Sequence, residues 1–72
     1  MIQRDQALVR LNNLSTLHQG KPVEARHQWS GSYRGRVESV VPSLNILWLE
    51  HGPFNERKLI DLTEYEIWGS AA

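Results

Sequence analysis

The sequence contains no cysteine, and this absence already removes two ways of stabilising a small fold. Without cysteine there is neither a disulfide to close a loop nor a thiolate to bind a metal. The three histidines, His18, His27 and His51, are scattered and form no spaced ligand pair. We therefore expect no structural zinc and no cofactor. A chain of 72 residues that lacks such devices needs another source of stability, and association with other subunits would supply it.

A long apolar run is also missing. The longest such stretch, residues 46–49, is far shorter than the ~20 apolar residues that a membrane-spanning helix requires. The first residues carry Arg4 and Asp5 where a signal peptide would place its apolar segment. We expect a soluble, cytoplasmic protein with no membrane partner.

Net charge is absent too, but the charges are unevenly distributed. A net charge of zero argues against bulk electrostatic capture of nucleic acid. Residues 1–36 carry six basic and two acidic side chains, whereas residues 37–72 carry two basic and six acidic side chains. Such a chain can present a basic face while it stays neutral, or pair head to tail with copies of itself. A mixed, solvated surface accounts for the same numbers, so these interpretations stay open.

The N-terminal part predicts one short helix, at about residues 5–15. Asp5 is a suitable N-cap, and apolar residues recur after it at steps of three and four. The members of this apolar stripe are Ala7, Leu8, Leu11 and Leu14. The Gly-Lys-Pro sequence at residues 20–22 ends any helix.

After Pro22 the pattern alternates between apolar and polar residues, which predicts strands. The first strand would place these side chains on one face: Val23, Ala25, His27 and Trp29. The second strand, after a turn at residues 30–32, would do the same with Tyr33, Gly35, Val37, Ser39 and Val41. The glycine inside that strand predicts a sharp bend or a close backbone approach. Residues 44–50 predict a buried third strand, and residues 57–62 and 64–67 predict two short last strands.

One helix followed by about five short strands predicts a mainly β protein with a single domain over residues 1–72. We expect a strongly bent, five-stranded antiparallel barrel of the SH3-like type from about residue 22 to residue 68. The sequence shows no catalytic triad, glycine-rich phosphate loop or paired-carboxylate motif, so we do not expect an enzyme.

This order of elements resembles the Sm-like (LSm/Hfq) family, in which a short helix precedes five strands. Residues 22–24, Pro-Val-Glu, are similar to the start of the first strand in Hfq-type proteins. Residues 30–39, Ser-Gly-Ser-Tyr-Arg-Gly-Arg-Val-Glu-Ser, resemble the first Sm motif, and residues 43–50, Ser-Leu-Asn-Ile-Leu-Trp-Leu-Glu, resemble its end. The second motif departs from the family, because Ile-Asp-Leu-Thr at residues 60–63 replaces the expected Arg-Gly or Lys-His.

The resemblance implies a homo-oligomeric ring that binds single-stranded RNA and serves as an RNA chaperone or regulator. It places Ser43, Leu44 and Asn45 near the pore, although only Asn45 matches the family's uridine pocket. We expect charge for RNA binding from four basic residues: Arg34, Arg36, Arg57 and Lys58. In such a ring the last two strands pair with the next subunit, which predicts an interface of Leu59, Leu62, Tyr65, Ile67 and Trp68.

Other interpretations remain open. An SH3- or Tudor-like barrel would bind a protein segment by strand addition or through an aromatic pocket. An accessory subunit of a larger assembly would bind neither RNA nor peptide. For Asn45 the alternative to base recognition is a turn residue that satisfies local backbone groups. For the arginines the alternative is a solvated strand face.

Overall fold

The computed structural model describes residues 8–71, which form one antiparallel sheet of six strands. In chain order the strands are β1 (Val9–Arg10), β2 (Pro22–His27), β3 (Gly31–Val41), β4 (Ile46–His51), β5 (Glu56–Asp61) and β6 (Tyr65–Gly69). Two short 3-10 turns, Leu14–Thr16 and Pro42–Leu44, precede β2 and β4. The order across the sheet is β1-β6-β2-β3-β4-β5, so β1 and β5 lie at its two edges. No helix within residues 8–71 is long and apolar enough to cross a membrane.

One face of the sheet, the inner face, surrounds the hydrophobic core. The buried residues come from five of the strands and from the segment before β2: Leu17, Val23, Ala25, Val37, Leu47, Leu49, Ile60 and Ile67. In a flat sheet β5 and β6 would lie roughly 19 Å apart, because four strand spacings separate them. Ile60 of β5 and Ile67 of β6 nevertheless belong to the same core. The sheet is therefore strongly bent, as the sequence predicted.

Two features of β3 produce this bend. A Cβ atom at Gly35 would collide with the carbonyl oxygen of Glu50, so only glycine allows β3 and β4 to approach this closely. A bulge between Val37 and Ser39 then shifts the register against β4. The prediction of a close approach at Gly35 is confirmed.

The bulge also exchanges the two faces of β3. Val37 lies in the core, but beyond the bulge it is Val40 that packs against the core. Ser39 pairs with Trp48 on the opposite face, the outer face, and is exposed. The prediction that Ser39 and Val41 share a face with Val37 is therefore wrong, because one extra residue reverses the alternation that follows it.

The predicted helix at residues 5–15 is wrong in the part that the structure describes; residues 5–7 lie outside it. Val9–Arg10 is a strand paired with β6. Leu14–Thr16 form a single 3-10 turn, and the side-chain oxygen of Asn13 caps it by accepting a hydrogen bond from the Ser15 backbone N–H at 3.0 Å. Leu11 and Leu14 still pack against the core. The apolar spacing therefore reflects packing of an extended segment and one turn.

An open six-stranded sheet replaces the predicted five-stranded barrel. Residues 62–64 join β5 to β6, yet no ladder connects these two strands within residues 8–71. β6 pairs with β2 on one side and with β1 on the other. β1 therefore occupies part of the free side of β6, whereas no strand of the described chain pairs with the outer side of β5.

Candidate binding site

The turn between β3 and β4 carries the residues that the family resemblance places near a pore. Asn45 closes this turn in the left-handed conformation, with φ of 55°. Its backbone N–H donates to the Pro42 carbonyl at 3.1 Å, and its carbonyl accepts from the Leu62 N–H at 3.0 Å. Ser43 and Leu44 are exposed in the 3-10 turn before it. The backbone of Asn45 thus orders the turn and joins it to the end of β5.

Two of the four predicted phosphate contacts lie on the outer face of β3. The Nε atom of Arg34 is 3.6 Å from a carboxylate oxygen of Glu24, and Arg36 donates from Nη1 to the Gly20 carbonyl at 3.2 Å. Arg36 lies about 16 Å along the strand from Val41, where β3 ends and the turn begins, since five residue steps separate them. The structure therefore does not bring these arginines together with the turn residues.

The other two basic residues of the prediction lie on opposite faces of β5. Arg57 donates from Nε to Glu38 at 2.7 Å, and its guanidinium lies 4.3 Å from the centre of the Trp48 ring. Lys58 points to the inner side, where its Nζ atom is 4.8 Å from the centre of the Tyr33 ring. Each of these cations already contacts a carboxylate or an aromatic ring.

The outer face near β1, β6 and β2 is covered by ion pairs. Arg10 and Glu66 approach to 3.5 Å, and Arg26 and Glu24 approach to 2.8 Å. The Arg26 guanidinium also lies 4.3 Å from the centre of the Trp68 ring. The hydrogen bond from Arg26, helped by one from Ser32 and by the nearby arginine charges, holds the pKa of Glu24 below its ordinary value, although burial opposes the shift. The positive charge on this side is therefore balanced within the molecule.

A chain of half-buried rings lies at one end of the inner face. The His27 and Tyr65 rings are 4.9 Å apart between centres, Tyr33 and Tyr65 are 6.3 Å apart, and Tyr33 and His51 are 5.3 Å apart. Tyr33 and Tyr65 both pack against the core. These rings therefore close one end of the core. Trp29, predicted to lie in the first strand, is 83% exposed in the turn that follows β2.

The outer edge of β5 is the longer of the two edges of the described sheet, with six residues against the two of β1. The Leu62 N–H donates to the Asn45 carbonyl, which fixes the alternation of the β4–β5 ladder. It follows that Lys58 and Ile60 direct their backbone groups toward β4, because these groups alternate along a strand. Arg57, Leu59 and Asp61 direct theirs away from the sheet. Within residues 8–71 no strand pairs with these outward groups, although the Asp61 carbonyl accepts a hydrogen bond from the Glu64 N–H at 2.9 Å.

Apolar side chains lie beside this edge on the outer face. We call this set the outer strip; it comprises Val41, Ile46, Trp48 and Leu59. The residues lie in two neighbouring rows, because Val41 pairs with Ile46 and Trp48 pairs with Leu59. Leu59 is 47% exposed, and the other three are half-buried. An open strand edge with an adjoining apolar surface is the arrangement that accepts an additional strand.

The predicted subunit-interface residues are distributed over different environments. Leu59 is exposed at the β5 edge, while Leu62 and Tyr65 pack against the core. Ile67 is part of the core at 4% exposure, and Trp68 lies beneath Arg26. Leu59 is the one exposed member of this set, since Leu62, Tyr65 and Trp68 are half-buried and Ile67 is buried.

Asp61, at the end of β5, holds the turn that leads to β6. Its Oδ1 atom accepts hydrogen bonds from the Thr63 backbone N–H at 2.9 Å and from the Thr63 hydroxyl at 2.7 Å. The backbone hydrogen bond, followed by that of the hydroxyl, keeps the pKa of Asp61 below its ordinary value. Asp61 is therefore ionised at neutral pH and remains exposed at the edge.

Comparison with family models, with curated proteins and with solved structures finds no match to this chain. The described residues contain no group of three or more histidine, aspartate or glutamate side chains placed to hold a metal ion. The site is therefore interpreted from its own geometry.

Sequence reasoning did not identify the outer strip as a surface. The sequence predicts a buried strand at residues 44–50 and places Val41 on the same face as Val37. The signal in the sequence is the apolar run at residues 46–49. A strand that is apolar on both faces places apolar side chains on both sides of the sheet. One face of that run is the core, and the other is the outer strip.

Proposed function

We propose that this protein is a binding module that takes up an extended polypeptide segment as an additional strand along the outer edge of β5. The observation that carries the proposal is the free edge itself. β5 runs over six residues, Glu56–Asp61, without a neighbour on its outer side in the described chain. Its outward backbone groups would supply the main-chain hydrogen bonds that hold an added strand.

The outer strip would supply the side-chain contacts for such a segment. Side chains of an added strand alternate between the two faces, so every second one would lie on the outer face next to Leu59. Trp48 lies directly opposite Leu59, and its half-buried ring, with the Arg57 guanidinium 4.3 Å from the ring centre, lies behind it. This arrangement favours a segment with apolar residues at alternate positions.

Charged side chains along β5 favour a selective contact. Arg57 and Asp61 lie on the outer face on either side of Leu59, one of each sign. Charges on an edge strand discourage indiscriminate pairing. They would accept a segment with opposite charges at matching positions and reject others.

RNA binding stays a prediction, and the contacts of the basic residues weigh against it. Seven basic side chains lie within residues 8–71: Arg10, Lys21, Arg26, Arg34, Arg36, Arg57 and Lys58. Four arginines pair with carboxylates, and the others contact a carbonyl or an aromatic ring. A phosphate would have to displace these contacts on a chain of zero net charge.

The experiment probes an array of short immobilised peptides of varied sequence with the labelled protein and with a Leu59→Pro variant. Leu59→Pro removes an outward N–H and leaves the β4 ladder intact. Arg10→Pro is the matched control at the other edge. Its N–H also points outward, because the Leu11 N–H donates to Ile67 in β6.

The expected result is retention of peptides with alternating apolar residues, lost in Leu59→Pro and kept in Arg10→Pro. Binding that survives Leu59→Pro would show that the edge is not the site. A fluorescence-polarisation titration with single-stranded oligouridine at low salt tests RNA binding. Tight binding that weakens steeply with salt and ignores Leu59→Pro would restore the RNA interpretation.

A further inference from the structure

The outward-pointing residues of β5 are arranged so that a second copy of the same strand complements them. Arg57, Leu59 and Asp61 carry the outward backbone groups, and their side chains share the outer face. When a twofold axis relates two antiparallel copies of a strand, one residue lies opposite the same residue of the second copy. Residues at equal distances before and after it in the sequence lie opposite each other. Directly opposite residues must also both point their backbone groups toward the partner, or both away from it.

Among registers centred on residues 57–61, the charges select one. Centring on Leu59 places Arg57 opposite Asp61 of the second copy on both sides of the axis. It also places Leu59 opposite Leu59 of the second copy. Centring on Arg57, Lys58 or Asp61 would oppose like charges, which destabilises a strand pair. Centring on Ile60 would form no pair of unlike charges, because Asp61 would face Leu59 and Arg57 would face Thr63.

Both charged residues can make the new contact and keep their present ones. Arg57 reaches Glu38 through Nε, so terminal N–H groups of the guanidinium remain to donate. Asp61 accepts both Thr63 hydrogen bonds on Oδ1, so Oδ2 remains to accept. The register centred on Leu59 therefore adds ion pairs without breaking those already formed.

The same register completes the outer strip. Trp48 lies opposite Leu59 within one copy, so two copies would form one apolar row that runs Trp48, Leu59, Leu59, Trp48 across the axis. Leu59 is 47% exposed in the single chain and would lie at the centre of this row. An apolar centre flanked by charged pairs is the usual layout of a specific interface.

We infer that two copies of this chain pair through antiparallel β5 strands centred on Leu59, which makes a symmetric dimer with one continuous sheet. The inference rests on the proposed strand addition and names its partner as a second copy. A twofold contact closes on itself. The ring expected from the sequence would instead join β5 to the edge of β6, where β1 pairs with Trp68 and Gly69 and the Leu11 N–H donates to Ile67 at 2.7 Å.

The test uses Arg57→Asp and Asp61→Arg, each alone and as an equimolar mixture, in sedimentation equilibrium. In either variant alone, both pairs across the axis carry like charges. In the mixture, one copy of each variant restores two unlike pairs. The dimer dissociation constant of each variant alone should be at least about tenfold higher than that of the unmodified chain. The mixture should form dimers nearly as well as the unmodified chain, and circular dichroism verifies that both variants are folded.

The mass of the unmodified chain tests the inference without any variant. A monomer–dimer equilibrium that saturates at the dimer supports it. A monomeric mass up to the highest soluble concentration, a trimer or larger ring, or a mixture that fails to recover dimers would overturn it. A monomeric chain that still binds array peptides through Leu59 would overturn the dimer and leave the proposed strand addition standing. A monomer that binds no peptide would remove both.

Discussion

The two edges of the sheet differ in the surface that lies beside the unpaired strand. On one side β1 covers part of β6, and ion pairs such as Arg10–Glu66 and Arg26–Glu24 occupy the outer face. On the other side the described chain leaves β5 uncovered, and the outer face carries the outer strip. Exposed strand edges invite pairing with other chains. The chain itself leaves only the two residues of β1 at the first edge, whereas under the proposed function the six residues of β5 receive a partner strand.

The largest expected change in stability comes from proline substitutions in β5, where inward and outward amides should differ. Lys58→Pro removes a donor to β4 and should lower the free energy of unfolding by about 3 kcal/mol or more. Leu59→Pro removes only an outward donor and should cost about 1 kcal/mol or less. A chain of this length has about 4–11 kcal/mol in total, so Lys58→Pro approaches unfolding.

Urea unfolding measures both variants. Lys58→Ala is the control for the Lys58 side chain, which lies near the Tyr33 ring. Equal losses for the two prolines would mean that the alternation assigned to β5 is wrong.

The ion-paired side is tested by pH. Since the pKa of Glu24 is lowered in the folded state, its contribution to stability is full above the ordinary value of 4.5 and is lost as pH falls through the lowered pKa. Glu24→Gln should cost about 1–2 kcal/mol at neutral pH, since it weakens hydrogen bonds to charged arginine. The variant should also flatten the acid part of the stability curve, measured by urea unfolding from neutral pH downward. An unchanged acid slope would contradict the role given to Glu24.

The part of the β6 edge that β1 covers can be exposed by a substitution in β1. The Val9 N–H points toward β6, because the backbone groups of Val9 and Leu11 lie on the same side of the chain. Val9→Pro should loosen β1 at a cost of about 1 kcal/mol and free the edge of β6. Light scattering should then show species larger than the dimer, because β5 of one copy can pair with β6 of the next. Arg10→Pro, which removes an outward donor, should not produce them.

The smallest effect is expected at an exposed ion pair. The Arg34 side chain is 81% exposed beside Glu24. Arg34→Ala should change the free energy of unfolding by less than about 0.5 kcal/mol, because solvent screens such pairs. Thermal unfolding at low and moderate salt measures this. A loss comparable to that of Glu24→Gln would mean that Arg34, rather than Arg26, holds the carboxylate.

The sequence alone was sufficient for the parts of the fold that depend on local pattern. Alternation placed Val23 and Ala25 inward and Glu24 outward, and these assignments are confirmed. The bend at Gly35 was predicted from a glycine inside a strand, and the collision that any Cβ would cause with Glu50 explains it.

Features that depend on neighbours in the sheet could not be predicted in this way. Leu8, Leu11 and Leu14 recur at a helical spacing, but a strand that leads into one 3-10 turn places Leu11 and Leu14 against the core equally well. The bulge after Val37 leaves no local signal, yet it reverses the faces of all later residues in β3. Nothing in the pattern of β5 states which strand, if any, lies beside it.

The most direct test of a free β5 edge is amide hydrogen exchange of Arg57, Lys58, Leu59, Ile60 and Asp61 at low and high protein concentration. At low concentration Lys58 and Ile60 should exchange slowly while the other three exchange fast. At high concentration Arg57, Leu59 and Asp61 should become protected as two β5 strands pair, so that the alternation disappears. Fast exchange of these three amides at every concentration would contradict pairing at the edge. Slow exchange of all five in the dilute monomer would show that the edge is already covered.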